Sequence, residues 1–274
     1  MDSKEDRAVI DQNALKDRIA VVTGASAGIG RAVATTLAHH GAGVVINARR
    51  AHKLRELADE INEKYPKING KDPCRTVQGD ASEDAVVELM LDEAADHFGS
   101  QPDLVVVNAG RGLSGSVMTS DPGEWEEMIR TNLLGAAKLI RAAGQRMVEL
   151  QKSREWPGKP ADLVVIGSTV GRHISPFSSM YGSTKFAVNS LAEAVRRELG
   201  PKGVRVTLIE PGIVASEFQG VAGYDPGSFG ELMDRISPVL VPEDIARPIA
   251  FVCSQPAGVH ISDILIRPTR QDYP

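Results

Sequence analysis

The 274-residue chain predicts an α/β fold: one parallel sheet of about seven strands with helices on both faces. Three observations predict it. Short runs rich in Val, Ile and Leu alternate with segments of helical period along nearly the whole length, as expected of strands buried on both faces. No repeat breaks that alternation. The chain also opens with a strand, a glycine-rich turn and a helix, at residues 17–41, which is the start of a βαβ unit. Together these describe a single doubly wound sheet of the Rossmann type.

The first strand is the run from Ile19 to Val22, and the helix that follows shows its period in Ile29, Val33 and Leu37. Between them lies Thr23-Gly24-Ala25-Ser26-Ala27-Gly28-Ile29-Gly30. Gly24 permits the turn, Gly28 lets a ligand approach the backbone, and Gly30 lets the helix pack closely. The unpaired N–H groups at the helix start suit a pyrophosphate.

Val44-Val45-Ile46-Asn47 is the second strand and ends in Ala48-Arg49-Arg50. An NAD-binding chain of this fold places an acid about 20 residues past the glycines, to hold the ribose 2′-hydroxyl. Here that place holds Arg49 and Arg50, which suit a 2′-phosphate, so NADP is implied over NAD. Residues 54–65 form an amphipathic helix, and 64–73 a loop. The third strand, 75–80, ends in Asp80-Ala81. Asp80 suits either of two roles: acceptor for an adenine amino group, or N-cap of the helix that starts near Glu83.

Leu104-Val105-Val106-Val107 is the fourth strand, and Asn108-Ala109-Gly110 at its end leaves room for a flat ligand. Residues 125–150 read as one long helix with Asn132 on or near its apolar face. Residues 151–161 read as a surface loop. Leu163-Val164-Val165-Ile166 is the fifth strand and ends in Gly167-Ser168. A helix over 178–199 carries Tyr181 and Lys185. The sixth strand, 204–209, ends in Pro211-Gly212. Residues 213–240, with their glycines and isolated aromatics, have the composition of a mobile lid. A short helix over 244–253 and a seventh strand over 261–266 complete the chain. The domain is expected over 15–274, after a flexible tail of 1–14.

The composition narrows the function. A hydrophobic share of 42% is enough for a sizeable core, and a net charge of −5 with both signs scattered points away from nucleic acid and membrane surfaces. There is no long apolar span and no secretory leader. Cys74 and Cys253 read as unpaired thiols of a reducing cytoplasm. No Cys/His cluster has metal-ligand spacing, so no metal is expected. His39 and His40 are expected near the exposed end of the first helix.

Tyr181 and Lys185, four apart on a helix, share a face. An ammonium beside a phenol is expected to lower the phenol pKa from about 10, giving a proton donor and acceptor near neutral pH. Ser168 can hydrogen-bond a carbonyl or alcohol oxygen, and Asn132 could hold a water that links Lys185 to solvent. Met180, Phe218, Val221, Tyr224 and Phe229 are candidates for an apolar pocket, and Arg111 for meeting an acid group.

With the glycine loop, Asp80, Asn108-Ala109-Gly110, Asn132, Ser168, Tyr181-Gly182-Ser183-Thr184-Lys185 and Pro211-Gly212 in place, the chain resembles the short-chain dehydrogenase/reductase family over about 15–268. The resemblance implies an Asn132–Ser168–Tyr181–Lys185 tetrad. It implies cofactor contacts from Gly24, Ser26, Gly28, Ile29, Gly30, Asp80, Ala81, Asn108, Ala109 and Gly110. Tyr181 and Lys185 would meet the cofactor too, Lys185 at the nicotinamide ribose, and Pro211, Gly212 and Ile213 would do so with Ile213 at the carboxamide. Arg49 and Arg50 carry the NADP preference. Homodimers or homotetramers are implied as well. Three departures stand out: Val107 in place of a second Asn, Ala27 in place of a basic residue, and the ending Ile264-Leu265-Ile266-Arg267-Pro268-Thr269. That ending looks more like members acting on small hydroxy acids and related aldehydes or ketones.

The expected activity is NADP-dependent interconversion of a carbonyl and an alcohol. The alternative is a non-catalytic NADP-binding regulator on the same fold, against which the intact tetrad argues. A serine hydrolase is disfavoured because Ser168 lacks the Gly-x-Ser-x-Gly elbow.

Overall fold

The computed structural model describes residues 10, 11 and 13–273. The expected tail over 1–14 therefore falls largely outside the described residues. Seven parallel strands form one sheet in the order β3-β2-β1-β4-β5-β6-β7. They are β1 (Ile19–Thr23), β2 (Gly43–Ala48), β3 (Cys74–Gln78), β4 (Leu104–Val107), β5 (Ala161–Ile166), β6 (Val204–Pro211) and β7 (Asp263–Ile266). The order reverses between β1 and β4, and the crevice for a ligand opens at such a switch point, beyond the carboxyl ends of the strands.

Alternation along the strands divides the core. Val22, Val44, Ile46, Val106 and Val164 point to one face, against α1 (Gly28–His39), α2 (Ala51–Lys64) and α9 (Pro242–Cys253). Val21, Val45, Val105, Leu163 and Val206 point to the other, against α3 (Asp84–Phe98), α5 (Ala136–Lys152) and α6 (Ser179–Leu199). The strands β1, β2, β4 and β5 are buried on both faces, which is why they read as near-continuous apolar runs, whereas the edge strand β3 mixes buried and exposed residues.

Opposite the crevice, at the amino ends of the strands, the sheet buries charge. Arg18 donates to Asp103 Oδ1 at 2.9 Å and to Asp162 Oδ2 at 2.7 Å, and Arg205 grips Asp162 with two bonds of 2.7 and 2.9 Å. All four side chains are buried, so each charge depends on its partners.

Several expected elements differ. The single helix over 125–150 is three pieces: α4 (Trp125–Ile129), a π-helical segment (Arg130–Gly135) and α5. Helical periodicity does not reveal a π turn, because one wide turn barely displaces the apolar stripe. Asp80 does not cap α3, whose N-cap is Glu83. It caps the turn before it, accepting from Ser82 N at 2.9 Å and Ser82 Oγ at 2.8 Å. His40 is buried rather than exposed, with its Nδ1 2.9 Å from Asp11 O beneath the incoming chain. The lid segment is ordered into α7 (Phe218–Val221) and α8 (Pro226–Ile236). No helix among the described residues is long and apolar enough to cross a membrane.

Candidate active site

Every strand from β1 to β6 delivers a motif to the crevice at its carboxyl end. β1 delivers the glycine loop. Gly24 and Gly28 adopt left-handed φ of 68° and 54°, which only glycine takes without strain. A Cβ on Gly30 would lie 2.5 Å from Gly24 O and 2.6 Å from Asn108 Nδ2. Asn108, at the end of β4, fastens the loop: its Nδ2 donates to Thr23 O at 2.8 Å, and the N–H groups of Asn108 and Ala109 both donate to Thr23 Oγ1 at 3.1 Å. Thr23 is thus a loop-fixing residue. Its hydroxyl, the last side chain of β1, is the signal in the sequence.

No side chain caps α1, which Ala27 precedes, so its first N–H groups are left for a ligand. Ile29 sits in that first turn and packs on the core. The turn is narrow enough that Ser216, from the lid, would touch a Cβ on Gly28 at 3.4 Å. Backbone this open, ending in an uncapped helix, fits a dinucleotide pyrophosphate.

The two arginines after β2 differ. Arg49 is two-thirds exposed and pairs with Glu127 at 3.3 Å. Arg50 points into the site: its Nε and Nη2 reach Ser26 Oγ at 3.2 and 3.0 Å, and its Nη1 reaches Glu217 at 2.8 Å. Lys53, one turn along, meets the same Glu217 at 2.5 Å. After β3, burial would raise the Asp80 carboxyl, but its hydrogen bonds from Ser82 and the nearby Arg130 hold it below the ordinary range. Ala81 stands beside it, partly exposed.

Asn132, Ser168, Tyr181 and Lys185 converge between β4 and β5. The π segment turns Asn132 inward, where it is fully bonded. Its Oδ1 accepts from Arg111 N at 2.8 Å, and its Nδ2 donates to Arg111 O at 2.9 Å and Thr184 Oγ1 at 3.0 Å. Thr184 donates onward to Tyr181 O at 2.7 Å, which ties the π segment to α6. A Cβ on Gly110 would lie 3.2 Å from Asn132 Oδ1 and 3.8 Å from Lys185 Nζ. Ser168, at the end of β5, accepts from Val170 N at 3.4 Å and lies near enough to the Tyr181 phenol to lower its pKa.

Burial sets the ionisation. It pushes the Tyr181 phenol above its ordinary value, with Tyr224 adding to the rise and the Ser168 hydroxyl opposing it. It lowers the Lys185 ammonium to about 8. The expected acidification of Tyr181 by Lys185 is therefore not found. Lys185 donates to Ile166 O at 2.8 Å and stands 5.9 Å from the centre of the tyrosine ring, while both side chains are buried.

The lid supplies the outer wall. Phe218 packs 5.8 Å from the Tyr181 ring, beside Leu113, Met128 and Met180. Tyr224 packs on Phe229 with ring centres 5.2 Å apart. Val221 is 62% exposed. Arg111 already meets acids of its own chain, Glu124 and, at 2.7 Å, Glu127. At the end of β6, Ile213 N donates to Gln271 Oε1 at 3.0 Å, so the tail reaches the N–H expected at a carboxamide. Gly212 N donates to Ile266 O at 2.7 Å, and Pro211 closes the strand.

A family model described as short chain dehydrogenase matches residues 18–225. The chain belongs to the short-chain dehydrogenase family. An uncharacterized oxidoreductase of Staphylococcus aureus (strain MW2) is 33% identical over 254 residues, covering 93% of this chain and 98% of that protein. Solved structures are similar over nearly the whole chain. One described as the closed form of serine dehydrogenase complexed with NADP+ is 31% identical, with a TM-score of 0.79 over 93% of this chain and 96% of that one. An alcohol dehydrogenase of the archaeon Thermococcus sibiricus, complexed with 5-hydroxy-NADP, is 27% identical, with a TM-score of 0.77 over 94% and 99%. A 3-ketoacyl-(acyl-carrier-protein) reductase from Brucella melitensis, complexed with NADH, is 26% identical, with a TM-score of 0.80 over 93% and 99%. Nicotinamide binding is common to these neighbours, and both forms of the cofactor occur among them.

Proposed function

We propose that this dehydrogenase interconverts a ketone or aldehyde and an alcohol with NADP, Tyr181 being the general acid and base. The observation that carries the reading is the convergence of Tyr181, Ser168, Lys185 and Asn132 beside an uncapped, glycine-built helix start. A bound nicotinamide would supply or accept the hydride. The chain's own residues do the rest. The N–H groups from Gly24 to Gly30 hold the pyrophosphate, Ser26 and Arg50 take the 2′-phosphate, and Asp80 accepts from the adenine amino group. Ser168 donates to the substrate oxygen and polarises it, and Tyr181 passes that oxygen its phenolic proton. A phenol raised by burial is fully protonated at neutral pH, which favours the reductive direction. Asn132 and Thr184 hold α6 so that Tyr181 and Ser168 face one oxygen.

Phe218, Met180 and Tyr224 make the substrate wall largely apolar, and the neighbour named serine dehydrogenase supports a small hydroxy acid or its keto form as the substrate class. The buried, unpaired Cys74 and Cys253 fit a reducing cytoplasm. A homo-oligomer is part of the reading, by the family resemblance.

The test is consumption of NADPH by the purified chain against a panel of small ketones, aldehydes and keto acids. Tyr181→Phe should lower kcat by about 10²–10⁴-fold, far more than it changes NADPH affinity. Full activity in that variant overturns the mechanism. Tight NADPH binding without turnover of any carbonyl supports the regulator instead.

A further inference from the structure

The lid reaches across the crevice to the residues expected at the 2′-phosphate. Glu217 immediately precedes α7. Its two oxygens are divided between Arg50 Nη1 at 2.8 Å and Lys53 Nζ at 2.5 Å, while the rest of the Arg50 guanidinium holds Ser26 Oγ. A carboxylate shared by two cations at the end of β2 has the charge and donor needs of a phosphate. Its side chain is half exposed, so a solute can reach and displace it. The same segment is fastened on its other side to the loop after β4. Ser114 N donates to Ala222 O at 2.9 Å, and Phe218 fills the space beside Gly112.

We propose that Glu217 is the chain's own stand-in for the 2′-phosphate, that Lys53 is a second cation for that phosphate beside Arg50, and that the phosphate frees the lid from α2 when it displaces Glu217. This rests on the reading above that the cofactor is NADP. The Lys53 and Arg50 hydrogen bonds hold the Glu217 carboxyl at about 2, so the competitor stays charged across the working pH range. A dinucleotide without the 2′-phosphate leaves the contact closed. Lys53 is thereby a specificity determinant, and Glu217 sets the affinity that NADP must overcome.

The test uses 2′,5′-ADP and 5′-AMP, titrated calorimetrically into the full chain. Glu217→Gln should tighten 2′,5′-ADP about three- to tenfold, the worth of two exposed ion pairs, and leave 5′-AMP within about twofold. Lys53→Met should weaken 2′,5′-ADP by a similar factor and spare 5′-AMP. Limited proteolysis within 213–240 should quicken on addition of 2′,5′-ADP but not of 5′-AMP. If Arg50→Gln weakens 2′,5′-ADP while Glu217→Gln leaves it unchanged, or tightens both ligands alike, the stand-in role is overturned and the NADP reading survives. If the wild type binds the two ligands equally and Arg50→Gln changes nothing, the NADP reading falls and takes this inference with it.

Discussion

Tyr181 and Lys185 hold protons that burial shifts in opposite directions, the phenol upward and the ammonium down to about 8. A lysine with a lowered pKa carries its charge below about 8 and loses it above. The phenol remains protonated across that range. The kcat/KM profile for reduction should therefore hold level up to about pH 8 and then fall as Lys185 deprotonates. In Lys185→Arg the guanidinium stays charged, so the alkaline limb should disappear even if the maximal rate drops. A limb that persists at the same pH in that variant would belong to another group. The sequence placed the two residues on one face, but the sign of the phenol's shift depended on desolvation. Four-residue spacing carries no information about how deep a helix is buried.

At the scale of single elements, the turn from β1 to α1 leaves the least room for change. The loop is closed by Asn108 from β4, and Gly30 faces backbone and an amide rather than a flexible side chain. Gly30→Ala must therefore move the loop, and it should weaken NADPH binding by at least about tenfold, measured by fluorescence titration, because misplaced N–H groups cannot be recovered by side-chain motion. Unchanged affinity would mean that the loop is not the pyrophosphate seat. The π segment from Arg130 to Gly135 is the element that the sequence hid. Its function is legible only with Thr184 and Arg111 in place around Asn132. Asp80 shows the same limit, since a cap on Ser82 and a cap on α3 look alike when only residue types are visible.

For the whole molecule, the two ends of the sheet divide the labour. The carboxyl ends carry the site, and the amino ends carry the buried Arg18, Asp103, Asp162 and Arg205 network. Asp162 receives three of those bonds, so Asp162→Asn leaves two buried guanidinium groups undercompensated. Unfolding in urea should show a loss of about 3–5 kcal/mol, while kcat below the new transition stays near the wild-type value. A loss below about 1 kcal/mol would show that the network contributes specificity of pairing rather than stability.

The sequence by itself determined the strand count, the parallel wound sheet and the glycine turn between its first strand and first helix. These follow from local periodicity and from residue types at fixed offsets, and a doubly wound sheet gathers such motifs at one edge. Tertiary structure alone decided how Tyr181 and Lys185 ionise and which arginine faces the site. It also decided that Glu217 and Gln271, remote in sequence from Arg50 and each close to the lid or the tail, would reach the crevice. The physical reason is that burial and long-range charge pairing depend on what the other strands and the lid bring to the same place, and no single segment of chain encodes that.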